Sequence, residues 1–447
     1  ILYYEKGGLN MVNKKSLISS ICILAVLSAG CSGNQAAKEK AAPQAETKPD
    51  RLATNEPITL RVWSGDNEQA FKDMIADPIK KKYPNVTLEL VPLQQNPLEK
   101  LIAAGNPPDI IRGSKNHMIF QVLPSKMEMD LTPLIKKHNY DLERYDADLI
   151  KSMRGFGEQG QLYALPTLKV VHAMLYNKQL FDKFAEAPPK DDMTWDEAIK
   201  LAGRMTRMDN GVQYRGMDLQ FYNMIASQLN VPVIDRNGKS NMAAAWSRPA
   251  EMFRQLYSIP GNNVPIGGTI AKVMDPFFKG SLAMVVINPS PMNGASVKYP
   301  ELSWDMVTVP VYPEAPGIDP YMNYTFSTVA VTTKFPDEAF KIITHLNSDE
   351  VQMEYSRKGN SSVLKNPDIQ KQFAANMPDL AGKNIAALYK HKQADPYVSP
   401  YFDNSIDSLV RAKFNEIVEG KKDNNTLLRE LDEAIDKKIA ETKAASK

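Results

Sequence analysis

The sequence predicts an α/β fold, and three observations carry that prediction. From Ile58 to Ile111 the chain reads strand, helix, strand, helix, strand, an order that implies a parallel sheet with right-handed crossovers. About 390 residues follow residue 56, enough for two lobes of ordinary size. From about Asp379 onward the pattern is mostly helical, and Leu427, Leu428, Leu431, Ile435 and Ile439 make the last apolar stripe.

Residues 1–30 are set apart from the fold. Lys14 and Lys15 open an apolar run, Leu17 to Leu27, broken by Ser19 and Ser20. Small residues Ser28, Ala29 and Gly30 then precede Cys31. This is the layout of a secretory signal, and the run is shorter than the roughly 20 residues that span a bilayer. Leu27-Ser-Ala-Gly-Cys31 resembles the lipobox of bacterial lipoproteins. The resemblance implies cleavage before Cys31, acylation of that cysteine, and a cell-membrane anchor on the extracellular face. Met11 reads as the translation start, because Glu5-Lys6-Gly7-Gly8 fits a translated ribosome-binding site. Residues 31–56 are polar, rich in Ala, Lys, Glu, Gln and Pro, and lack aromatic side chains. Such a segment buries too little apolar surface to offset its ordering entropy, so a flexible tether is expected.

The chain is 43% hydrophobic with a net charge of +2 and shows no block of like charge. Neither a nucleic-acid footprint nor a polybasic membrane patch is indicated. Both cysteines, Cys22 and Cys31, fall in the signal and at the lipid site, which leaves the expected mature domain without a thiol.

The elements follow in order. Ile58-Thr-Leu-Arg-Val-Trp63 alternates as a strand and leads into the turn residues Ser64-Gly65-Asp66-Asn67. Phe71, Met74, Ile75 and Ile79 share one helix face, ended by Tyr83-Pro84-Asn85. Val86 to Val91 is a second strand, Leu98 to Ile102 a helix stopped by Gly105, and Pro108 to Ile111 leads a third strand. Gln161 to Pro166 and Val170 to Tyr176 read as short strands. Thr194-Trp-Asp-Glu197 is a capping box, with Ala198, Leu201, Ala202 and Met205 at helical spacing behind it. Asp235 to Lys239 reads as a hairpin turn. Phe277 to Ile287 passes from helix to buried strand, Leu302 to Pro310 and Phe326 to Val331 are strands, and Pro336 to Leu346 and Asp349 to Lys358 are helices.

Seven short segments then carry a resemblance. They are Thr59-Leu-Arg-Val-Trp63, Ala104-Gly-Asn-Pro-Pro-Asp-Ile-Ile111, Leu162-Tyr-Ala-Leu-Pro166, Met174-Leu-Tyr-Asn-Lys178, Met193-Thr-Trp-Asp-Glu-Ala198, Phe278-Lys-Gly-Ser-Leu-Ala-Met284 and Pro336-Asp-Glu-Ala-Phe-Lys341. In this order they resemble the extracellular solute-binding proteins of carbohydrate ABC importers, the group that includes maltodextrin-binding proteins. The resemblance implies a two-lobed periplasmic-binding-protein-like fold, each lobe a central, mainly parallel sheet flanked by helices, joined by a multi-strand hinge. It places lobe 1 at 57–165 and 329–377, and lobe 2 at 166–328 and 378–447. The hinge is expected near Leu165-Pro166-Thr167, Ser327-Thr328-Val329 and Pro378. It further implies a monomer that closes on a sugar or oligosaccharide and presents it, intact, to the permease subunits of an importer. No catalytic residue, cofactor, metal or nucleic-acid partner is expected.

Candidate ligand residues lie where loops should meet the cleft. Trp63 ends the first strand and offers a ring to a sugar face, or fills the core. Asp66, Asn67 and Glu68 match vicinal hydroxyls, or cap the helix behind them. Arg112, Ser114 and Asn116 follow the third strand; a guanidinium there suits hydroxyls or a carboxylate, or a salt bridge. Asp218 and Tyr222 read as one turn apart on a helix near the cleft. Asn288 follows a buried strand, and Tyr321, Asn323 and Tyr324 precede a hinge strand. Trp195, Trp246 and Trp304 read as packing residues. With Trp63 alone well placed among tryptophans, a long oligosaccharide is less expected, although tyrosine occurs 18 times.

Other chemistry is set aside. Gly155-Phe-Gly157-Glu-Gln-Gly160 matches the dinucleotide pattern, but it follows a helix and precedes a strand, whereas phosphate cradling needs strand, loop, helix. The five histidines are isolated and lack zinc-ligand spacing. Two alternatives stay open: a surface glycosidase using Asp66 and Asp218 as its carboxylate pair, and a receptor for a non-sugar solute.

Overall fold

Twelve strands build the frame in the computed structural model, which describes residues 51–445 apart from Asn55, Glu158, 264–269, Met322, Asp395, Pro396, Val398 and Pro400. They are β1 Ile58–Ser64, β2 Val86–Pro92, β3 Ile110–Ser114, β4 Leu165–Val170, β5 Ala173–Asn177, β6 Arg207–Asp209, β7 Val212–Leu219, β8 Leu282–Ile287, β9 Trp304–Val307, β10 Ile318–Asp319, β11 Asn323–Val329 and β12 Lys392–Gln393. Cys31, the signal-like run and the tether up to residue 50 lie outside the described residues. The last tether residues do not fit a flexible segment: Asn85 Nδ2 lies 2.9–3.0 Å from the carbonyl oxygens of Arg51, Thr54 and Glu56, and the Arg51 guanidinium sits over the Phe335 ring.

Two five-stranded sheets form the centres of two α/β lobes, in the orders β2-β1-β3-β11-β4 and β6-β7-β8-β5-β9; β10 and β12 make a small third pair. The expectation of mainly parallel sheets needs correcting. Parallel pairing in the two large sheets joins β1 to β2, β1 to β3, and β7 to β8. The β3–β11, β11–β4, β5–β8, β5–β9 and β6–β7 pairs are antiparallel. The first two arise because β4 and β11 carry the chain between the lobes rather than winding within one. β4 ends at Val170 and β5 begins at Ala173, so the chain changes sheets within Val171 and His172.

Burial follows from side-chain period. In β1, Ile58, Leu60 and Val62 alternate inward with exposed Thr59, and Trp63 is also buried in the first core. In β8 all six residues are buried, as befits a strand covered on both faces. One face packs against the largest core with Met174 and Met217; Val285 and Ile287 on the other join Phe277, Trp304 and Phe373.

Helix Trp195–Met205 starts at the capping box: Thr194 Oγ1 accepts from the Glu197 backbone, and Glu197 Oε2 accepts from the Thr194 N–H. It lies tight on β7, where a Cβ at Gly216 would meet the Ala202 carbonyl oxygen at 2.0 Å. The C-terminal helix Asn404–Val418 and the following Asn424–Ala445 turn their apolar stripes, Leu431 and Ile435 among them, onto that same core. Phe414 reaches the rings of Tyr222 and Trp246 at centroid distances of 5.3 and 5.7 Å. This contact fixes the rotation of Asn404–Val418. Among the described residues, no helix is long and apolar enough to cross a membrane.

Candidate functional site

A cavity of about 280 Å³ is lined from both lobes. It lies beyond the carboxyl ends of β3 and β7, where open α/β sheets place ligands. β3 ends at Ser114 and passes into Lys115 and Asn116; Phe120 follows on the next turn. β7 ends at Leu219, and Phe221, Tyr222 and Asn223 come directly after it. The floor is closed by Tyr321 and Asn323, at the entry to β11, and by Asp407 and Arg411 from helix Asn404–Val418. The rings of Phe120 and Phe402, one from each side, approach to 6.3 Å.

The polar groups are ordered by one another. Asp407 accepts from the Tyr222 hydroxyl (2.8 Å) and from Arg411 Nη2 (2.8 Å). Burial, with the Asp407 charge adding to it, holds the Tyr222 phenol well above its usual range. Burial likewise pushes Tyr321 up to about 12, helped by Asp407 and opposed by a hydrogen bond from Asn223. Both phenols are therefore neutral donors near neutrality. The Tyr321 backbone N–H donates to Ser227 Oγ (2.8 Å), which itself donates to the Met224 carbonyl (2.8 Å). Phe120, Phe221, Phe402 and Tyr397 keep part of their rings accessible. The arrangement offers apolar ring faces beside neutral hydroxyl and amide groups.

Of the residues singled out from sequence, Ser114, Asn116, Tyr222, Tyr321 and Asn323 line this cavity. Trp63 does not: it is fully buried and its indole N–H donates to the Asn96 carbonyl (2.8 Å). Asn67 caps the first helix through Ala70 N–H, with Glu68 exposed in its first turn. Asp66 accepts from Ser64 Oγ (2.6 Å) and lies 3.8 Å from Arg112 Nε. Arg112 is buried and donates to Ser327 Oγ (2.8 Å), tying β3 to β11. Asn288 donates to the Val171 carbonyl (2.9 Å). Tyr324 is buried in the first core, its hydroxyl 3.0 Å from Ser152 Oγ.

Asp218 and Tyr222 do not share a helix. Asp218 is in β7, paired opposite Val285, and its carboxylate is spent on Arg215 Nη2 (2.7 Å) and the Tyr257 hydroxyl (2.8 Å). A strand wins here because β8 supplies a buried parallel partner. Phe120, Phe221, Asn223, Phe402, Asp407 and Arg411 were not picked out from sequence. Phe221 and Asn223 flank Tyr222, and Asp407 and Arg411 share a helix face at i, i+4; those were the available signals.

Residues 64–353, more than half of the chain, match the family described as bacterial extracellular solute-binding protein. This chain belongs to that family. An uncharacterized ABC transporter extracellular-binding protein of Pyrococcus horikoshii is 24% identical to this solute-binding protein over 206 residues; the match spans 44% of this chain and 43% of that relative. Among solved structures, an ABC substrate-binding protein from Listeria monocytogenes in complex with cycloalternan superposes with a TM-score of 0.70 at 18% identity, covering 86% of this chain and 99% of that one. The sugar-binding protein MalE from Xanthomonas citri superposes with a TM-score of 0.67 at 17% identity, covering 87% and 99%. At such identities the likeness concerns the fold: two α/β lobes of the periplasmic-binding-protein kind.

Proposed function

We propose that this solute-binding protein captures a carbohydrate between its lobes and hands it, chemically unchanged, to the permease subunits of an ABC importer. The observation that carries this reading is the shared cavity, where ring faces of Phe120, Phe221 and Phe402 stand beside hydroxyl and amide groups of Tyr321, Asn223 and Asn323. Sugar C–H faces suit aromatic rings, and sugar hydroxyls suit groups that both give and accept hydrogen bonds. Structural relatives were solved with or named for sugars, which supports the same reading. Because the cavity draws on both lobes, a ligand gains its full set of contacts only in the closed state and so favours it.

The proposal includes a lipid anchor on Cys31 at the extracellular face of the membrane, and a monomer. It also includes lobe 1 at 57–165 and from 329, with lobe 2 taking 166–328 and the C-terminal helices. We place the return to lobe 2 before Phe373 rather than at 378, since Phe373, Ala374 and Met377 pack into the core of the second sheet. The glycosidase alternative loses its carboxylate pair: Asp218 is bound to Arg215 and Tyr257 within lobe 2, and neither it nor Asp66 lines the cavity.

A thermal-shift screen of mono- and oligosaccharides, with chromatography of the sugar afterwards, tests the reading, because a ligand that binds only the native state raises its melting point. The expected result is a rise with at least one neutral sugar, recovered intact. A blank across plant and microbial glycans, or a cleaved sugar, contradicts it.

A further inference from the structure

The charged groups of the cavity are already engaged with each other or with rings. Asp407 accepts from Tyr222 and Arg411. The Arg411 guanidinium also lies over the Tyr222 ring at 5.7 Å, and Lys115 Nζ stands over the Tyr324 ring at 5.8 Å. What the cavity leaves unspent is neutral. Asn223 Oδ1 is buried and has no hydrogen-bond partner among the described residues. A buried acceptor without a donor is costly, and native proteins leave few of them. Two further carboxamides, Asn116 from the helical turn that follows β3 and Asn323 from the start of β11, line the same space. Three elements thus bring three amides together, each holding one acceptor and two donors.

From this juxtaposition, and resting on the carbohydrate reading above, we infer that Asn223 is the specificity-determining residue and that the ligand is a short, uncharged saccharide, one of whose hydroxyls donates to Asn223 Oδ1. The cavity volume of about 280 Å³ lies just below the range of ligand sites, roughly 300–1,000 Å³, which fits a short ligand. Among the described lining residues the cations are Arg411 and Lys115: placing a uronate or phosphate on Arg411 means breaking the Asp407 pair, and placing it on Lys115 means drawing Nζ off the Tyr324 ring. Bringing a hydroxyl to Asn223 Oδ1 breaks no ion pair and supplies the missing donor.

Calorimetric titration of the full chain with maltose, cellobiose and mannobiose, against digalacturonate and glucose 6-phosphate, tests the class. The tightest ligand should be neutral, by about tenfold or more over every charged sugar. Monodeoxy analogues of that ligand then test the residue on the unaltered protein. One deoxy position should lose at least about tenfold, since a site built to bond a hydroxyl rejects the analogue lacking it. In Asn223→Ala the parent sugar should weaken by about as much, and the penalty at that one deoxy position should vanish. Tightest binding of a charged sugar overturns the inference and leaves the carbohydrate reading standing. So does a deoxy series without a sensitive position, or a penalty that survives Asn223→Ala. No binding in this panel together with a blank in the thermal-shift screen overturns the carbohydrate reading itself, and this inference with it.

Discussion

Trp63 and Phe120 divide between them the two things an aromatic ring does in this molecule. Trp63 sits at the end of β1, fully buried, its single polar atom satisfied by Asn96, and its ring meets His117 edge-on at 6.0 Å. Phe120 keeps part of its ring open to the cavity. Truncating a buried aromatic removes transfer energy and leaves a void, about 3–5 kcal/mol in all. Trp63→Ala should therefore lower unfolding free energy by that amount in a urea titration, with sugar affinity of the folded fraction unchanged. A large affinity loss at unaltered stability would put Trp63 at the ligand instead. The sequence left Trp63 open between these roles because strand alternation says which face a residue is on, not whether the face is covered. Coverage comes from residues such as His117, more than 50 positions along the chain, whose ring meets the indole edge-on.

Local elements were legible where the signal is short-range. The capping box at Thr194, the stripe from Leu427 to Ile439 and the helices Pro336–Leu346 and Asp349–Arg357 stand as the sequence pattern indicated. Met217 to Tyr222 was misread as a helix because Met217, Leu219 and Tyr222 satisfy either period over so few residues. Not legible at all was the segment Tyr389–Gln393, a strap between the lobes. Its Tyr389 hydroxyl donates to Ser361 Oγ (3.1 Å), and Lys392 Nζ lies 2.6 Å from Asp148, both on the first-lobe side. Lys390 Nζ lies 2.6 Å from Asp192 on the second. His391 is the buried knot of the strap, with Asp319 3.2 Å from Nδ1 and Asp192 2.7 Å from Nε2. Both ring nitrogens face carboxylates, so only the doubly protonated ring donates to both. Asp319 first, then Asp192, raise its pKa above 6.5 against the opposing effect of burial. A pKa raised on folding gives stabilisation that is complete below the unfolded value and lost as pH climbs through the folded one. The melting-point gap between the wild type and His391→Gln should thus be widest near about pH 5 and narrow by about pH 9. A gap that is constant or grows with pH would show that the imidazolium does not hold the strap.

At the scale of the whole molecule, the α/β class was readable from the order of elements, but the way the site is assembled was not. Asp407 and Tyr222 are 185 positions apart and meet because Phe414 locks the C-terminal helix against the second core. No periodicity carries such a pairing, and the division of the chain into lobes came from family resemblance alone. The cavity drawn from both lobes makes closure the central claim. Because Cys22 and Cys31 are the only cysteines in the sequence, spin labels placed at exposed Lys136 and Val297 on a variant lacking both give one clean distance between lobes. That distance, measured by pulsed electron paramagnetic resonance with and without the sugar found in the thermal-shift screen, should shift to a different and narrower distribution when the sugar is added. An unchanged distribution at saturating sugar would contradict the account.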